Sequence, residues 1–209
     1  MVDPLPKAVA MTTNSTASMS PDLPDTPGSG PMFFVVSIRK MIVMNLFTFG
    51  LYWAFCHYQS WALYRRETGE RVLPLVRSIF GILFLYSLLS RVDRQLHLSG
   101  RSYRWSPFWL VCALILLTAL SMWANQMMEL APLPLLSAVL AMDVLILWVV
   151  ARIQGAINTC VGDPKGQSNS RLSLLNWAWM SVGILVWVVL VSFLVVLLAG
   201  LFIVTFADA

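Results

Sequence analysis

Asp143 makes the sharpest chemical demand in the chain. It lies inside LLSAVLAMDVLILWVV, with apolar sequence on both sides. A carboxylate in the middle of a bilayer costs about 2.5–3.5 kcal/mol on insertion scales. It must therefore carry a proton, be paired, or face water inside a bundle. One reading makes Asp143 a proton or cation site. The other is structural, a protonated Asp143 hydrogen-bonded to a neighbouring helix, with the Asn45–Thr48 face as its partner. Ser137 and Ala141 lie four residues apart and suit close helix contact. With no second acid or evident base beside it in sequence, the structural reading is preferred.

Asn45, Thr48 and Arg77 complete the candidate intramembrane polar site. By three-and-four spacing Asn45, Thr48, Tyr52 and Gln59 share one helical face. In lipid that face turns toward protein, because its polar groups need partners. It serves either ordinary helix packing or a site. Gly50 and Ala54 add a small-xxx-small pair. Arg77 sits one turn inside an apolar run, where its long side chain is expected to snorkel to the headgroups rather than serve an ion pathway. Cys56, Cys112 and Cys160 lack metal-ligand or paired spacing, and His57 and His97 stand apart. No catalytic residue, cofactor site or metal site is assigned, because phosphate-binding, nucleophile-elbow and zinc-protease patterns are missing from the sequence. An intramembrane enzyme would need convergent polar groups, and the chain offers isolated ones.

The elements that must hold these residues are helices. The chain has 209 residues, 58% hydrophobic and 11% charged, with mean hydropathy +0.75. A soluble domain carries about 25% charged residues, and so large an apolar excess cannot be hidden in one small core. The expected fold class is all-α, a polytopic transmembrane helical bundle of about five spans, near 41–56, 73–90, 107–124, 135–151 and 177–206. The continuous Val and Leu runs are too long for half-buried strands. Aromatic belts support the boundaries: Trp53, Tyr58, Trp61 and Tyr64 after the first run, and Trp105, Trp109 and Trp123 around the third. The final apolar run is longer than a bilayer core needs, so LLNWAW is read as interfacial, with Gly183 and Gly200 as candidate break points.

Residues 1–31 hold six prolines, many Ser and Thr, and little apolar surface. They are expected to form a disordered tail, without the apolar core of a signal peptide. The transmembrane domain then covers 32–209. Gly69 is an expected helix stop and Pro74 an expected first-turn residue. IQGAIN, after Arg152, is a candidate interfacial extension of the fourth helix.

Lys and Arg set the orientation. With five spans and a cytoplasmic N-terminus, ten cations lie inside, while Arg65, Arg66, Arg71 and Arg77 lie outside. If the first two apolar segments were both interfacial, all fourteen would lie inside. The net charge of +4 is thus membrane anchoring and implies no nucleic-acid partner.

One resemblance is visible. Lys40, Asn45, Thr48, Gly50, Leu51, Tyr52, Trp53, Tyr58, Trp61, Pro74, Arg77 and Phe80 form a Lys-led apolar helix with a Thr-x-Gly-Leu-Tyr-Trp motif and a downstream Pro, Arg and Phe. Over about 38–90 this resembles the signature of an uncharacterised domain of small bacterial integral membrane proteins. Cys56 and His57 depart from its usual aromatics. The resemblance implies a multi-pass protein of the bacterial inner membrane and implies no activity. The expected function is a non-enzymatic membrane packing or interaction protein. Its partners are the lipid bilayer and a second copy or other membrane proteins. The alternative is a small transporter or channel using Asp143.

Overall fold

The computed structural model describes residues 30–128 and 131–207. The tail expected over 1–31 lies outside them except for its last two residues. Among the described residues the chain is all-helical: α1 (Ile38–Phe47), α2 (Leu51–Thr68), α3 (Pro74–Ile79), α4 (Gly81–Leu98), α5 (Pro107–Gln126), α6 (Pro132–Val161) and α7 (Leu174–Ala207), with one 3-10 turn at Gln167–Asn169. Three helices, over Pro107–Gln126, Leu133–Val161 and Leu174–Gly200, are long and apolar enough to cross a membrane. They match the third, fourth and fifth expected segments. α6 runs ten residues past its expected end at 151, because IQGAIN stays helical. The candidate breaks at Gly183 and Gly200 do not occur, and α7 is one helix.

The first two expected spans, 41–56 and 73–90, are each made of two helices rather than one. α1 has only ten residues, or ~15 Å of helix, about half a bilayer core. It stops because Phe49 (φ 51°) and Gly50 (φ 85°) both turn left-handed. Glycine adopts that conformation freely, whereas a side chain such as that of Phe49 costs roughly 1–2 kcal/mol there. The turn is held by two polar side chains just before it. Thr48 Oγ1 donates to the Met44 carbonyl (2.7 Å) and accepts from the Tyr52 amide (3.0 Å). Asn45 Oδ1 accepts from the Trp53 amide (2.9 Å), and its carbonyl accepts from the Gly50 amide (2.9 Å). These bonds cap the end of α1 and the start of α2 together. The second break lies at Phe80 (φ −93°, ψ 39°), between α3 and α4. Pro74 opens α3 and Gly69 ends α2, as expected.

Each pair of helices therefore turns back on itself. Phe33, before α1, stacks on Tyr64 near the end of α2, with ring centres 5.9 Å apart. The Gly30 amide donates to Glu67 (3.3 Å). Glu70, before α3, lies 3.3 Å from Arg91 on α4. A helix crossing a ~30 Å core would hold such neighbours on opposite faces. The buried core forms where the 33–36 segment, α2, α4 and the C-terminal half of α6 meet, around Phe33, Val36, Trp61, Tyr64, Leu88, Leu89 and Ile153. α4 supplies Leu85, Leu88, Leu89, Val92 and Leu96 at helical spacing and packs on α5 and α6.

The α1–α2 turn docks on α7. Trp187 Nε1 donates to the Leu46 carbonyl (3.1 Å), and the Phe49 ring stacks on Trp187 with centres 5.4 Å apart. The Phe47 carbonyl lies against Gly183, where a Cβ would collide with it. Trp187 is thirteen residues beyond Leu174, so the turn sits roughly 20 Å along α7.

A methyl group at Gly183 must push backbone away from backbone. Gly183→Ala is expected to lower stability by about 1–3 kcal/mol in detergent melting, as overpacking does. Gly200→Ala, where a Cβ meets nothing, should stay within about 0.5 kcal/mol of the parent. Equal effects of the two changes would contradict this docking.

Candidate functional site

A buried network of side-chain amides fixes the chain ahead of α1. Asn158 and Gln154 lie one turn apart on α6, with 0% and 1% of their surface exposed. Asn158 Oδ1 accepts from the Val36 amide (3.3 Å), and its Nδ2 donates to the Val36 carbonyl (2.8 Å). That is the two-bond pattern one strand offers another, supplied here by a side chain. Gln154 Nε2 donates to the Phe34 carbonyl and to Asn158 Oδ1, both at 2.9 Å. From the following loop, Asn169 Nδ2 donates to the Val35 carbonyl (2.9 Å), and its own carbonyl accepts from the Ser37 amide (3.3 Å). Lys40 Nζ closes the network on Asn169 Oδ1 (2.7 Å) and the Arg171 carbonyl (2.8 Å). Asp163 shapes this loop by accepting from the Ser168 and Gln167 amides (2.8 and 3.0 Å), which hold its carboxyl below the ordinary range.

The four candidate residues occupy three separate places. Asn45 and Thr48 serve the α1–α2 turn, so their polar face bonds within its own hairpin rather than to Asp143. Asp143 lies on an exposed face of α6, and its partner is Ser121 Oγ on α5, at 3.4 Å. Ser121 itself is buried.

Arg77 stacks its guanidinium on the Trp61 ring (4.2 Å), and its Nη1 is buried with no hydrogen-bond partner among the described residues. Arg91 approaches the same ring (5.3 Å) and that of Tyr64 (5.2 Å). Trp61 Nε1 donates to His57 Nε2 (3.0 Å), so a neutral His57 carries its proton on Nδ1. Tyr64 donates its hydroxyl proton to Glu70 (2.6 Å), and that bond, with Arg91 beside it, holds the Glu70 carboxyl below the ordinary range. Two cations, two aromatic rings and one acid thus form a tight charged knot over α2, α3 and α4.

Among the described residues no three His, Cys, Asp or Glu converge on a metal position, and Cys56, Cys112 and Cys160 are free thiols. Sequence reasoning missed the network of Gln154, Asn158, Asn169 and Lys40. A signal was present: two amides at i and i+4 on an otherwise apolar helical run, which share one face and demand a polar partner. No family model, curated protein or solved structure matches the chain.

The Glu70 bonds make a pH-dependent contribution. A carboxyl depressed in the folded state stabilises fully above its unfolded value of about 4.5 and loses that contribution as pH falls through the lower folded value. Glu70→Gln should therefore melt slightly below the parent at pH 7. The gap should close once the pH has fallen below that lowered folded value, because the parent then also carries a neutral side chain. A gap that persists at low pH would contradict the assignment.

Proposed function

We propose that the chain is a multi-pass membrane protein with three spans, α5, α6 and α7, and that it acts by packing with a second copy or with other membrane proteins rather than by catalysis. In this reading α1–α2 and α3–α4 are hairpins that enter the membrane from the cytoplasmic face and return to it. The closeness of Glu70 to Arg91, and of Phe33 to Tyr64, supports the return. The charge pattern supports it independently. With two returning hairpins and three spans, all fourteen Lys and Arg residues fall on one side, whereas five spans leave four on the other. The N-terminus is then cytoplasmic and α7 ends outside. The resemblance over 38–90 favours a bacterial inner membrane.

The observation that carries the interaction reading is the position of Asp143. It lies ten residues beyond Leu133 on α6, ~15 Å along the helix and near mid-bilayer. Asp143 is exposed, as is Leu140 one turn before it. One long hydrogen bond from Ser121 offsets little of the cost of a carboxyl facing lipid. A polar group on a second transmembrane helix meets that need. α7 points the same way, since only 6% of its most apolar eighteen-residue stretch is buried within the chain.

Asp143→Leu should abolish cross-linking through α6 in native membranes without lowering the melting point of the purified chain. Asp143→Asn, which keeps the shape and a donor, should retain cross-linking within ~1 kcal/mol of the parent. Unchanged cross-linking in the Leu variant would overturn the interaction reading. Loss of proton or cation flux in vesicles of a normally cross-linked Asn variant would replace it with transport.

A further inference from the structure

A groove of about 530 Å³ runs between the α1–α2 hairpin and the first turns of α7. Its walls change character along their length. At the end where α7 begins stand Lys40, Asn169, Arg171 and Ser173, with Leu175 beside them, while Met44, Thr48 and Leu51 stand toward the α1–α2 turn, and Phe55 and Trp179 add apolar wall. Among the described residues, Lys40 and Arg171 are the charged residues of the lining, and no Asp or Glu belongs to it. Lys40 is 7% exposed, and both its hydrogen bonds go to neutral oxygens, Asn169 Oδ1 and the Arg171 carbonyl. An ammonium buried beside neutral acceptors is stabilised by a nearby anion, which this lining does not supply. Arg171 is exposed at the same end, with its guanidinium outside every ion pair found among the described residues.

We propose that this groove binds one anionic phospholipid, its phosphate between Lys40 and Arg171 and an acyl chain along Leu51, Phe55 and Trp179. The polarity gradient carries the choice of occupant. A soluble anion uses the cationic end and leaves the apolar wall bare. A zwitterionic lipid fills the wall but brings a cation toward two cations. An anionic lipid matches both ends, and its axis runs with α7, whose first turns carry Trp177 and Trp179 as headgroup-level aromatics do. The orientation rests on the three-span reading, but the match of groove to lipid does not. Binding in detergent therefore tests the groove alone.

The test is native mass spectrometry of the purified full chain with phosphatidylglycerol, phosphatidylcholine of the same acyl chains, or glycerol phosphate. One phosphatidylglycerol per chain should survive detergent removal, while phosphatidylcholine and glycerol phosphate should not. Arg171→Gln, whose main-chain bond to Lys40 is retained, should weaken phosphatidylglycerol binding about fivefold, the effect of one cation near an anionic lipid. Arg39→Gln removes an exposed cation whose side chain lies outside the lining and should leave binding within about twofold. Leu51→Asp should weaken it through the apolar wall. Equal retention of the two lipids, binding of glycerol phosphate alone, or equal effects of Arg171→Gln and Arg39→Gln would each overturn the proposal.

Discussion

Backbone that leaves a helix within hydrocarbon must find every hydrogen bond inside the protein, since each one left unmade costs several kcal/mol. In the proposed reading the α1–α2 turn lies in hydrocarbon, and four residues serve it. Thr48 and Asn45 serve both helix ends, Trp187 takes the Leu46 carbonyl, and Gly183 lets the Phe47 carbonyl lie against α7. Because the turn closes in this way, α2 runs back beside the chain that precedes α1. Phe33 then reaches Tyr64, Val36 reaches Asn158, and Lys40 reaches the loop before α7. The buried core, the amide network and the groove all follow from the turn.

The helical class and the three long apolar helices were legible because their signal is length, a quantity the sequence states directly. Gly69 and Pro74 were legible because each has one strong positional preference at a helix end. The breaks were not. Phe49 and Phe80 are ordinary apolar residues in apolar runs, and nothing about their type announces a turn. Asn45 and Thr48 were recognised as polar groups needing partners, but helical spacing pointed them at another helix. Their partners are amides eight and four residues ahead, which the broken geometry brings within reach. The same locality hid Arg77, whose neighbour Trp61 approaches only because α3 folds back under α2.

Charge and apolar surface are sorted between the two parts of the molecule. The hairpins and the loops before α5 and α7 hold the guanidinium–aromatic knot around Trp61 and most of the cations. α5, α6 and α7 carry long apolar faces, with Asp143 the exception on an exposed side. In the proposed reading the hairpin half meets the cytoplasmic headgroups and the helical half meets lipid and partner helices. The knot then helps hold the hairpins together: Arg77 and Arg91 both use Trp61, so α2, α3 and α4 share one aromatic surface.

The returning hairpins can be tested where the two topologies differ most, at the loop between α2 and α3. A cysteine replaces exposed Arg71 in a background with Cys56, Cys112 and Cys160 changed to alanine, and intact cells receive a membrane-impermeant maleimide. Gln126→Cys, at the far end of α5, serves as the outward-facing reference. The three-span account predicts that Arg71→Cys labels only after permeabilisation, while Gln126→Cys labels in intact cells. Labelling of Arg71→Cys in intact cells would contradict it.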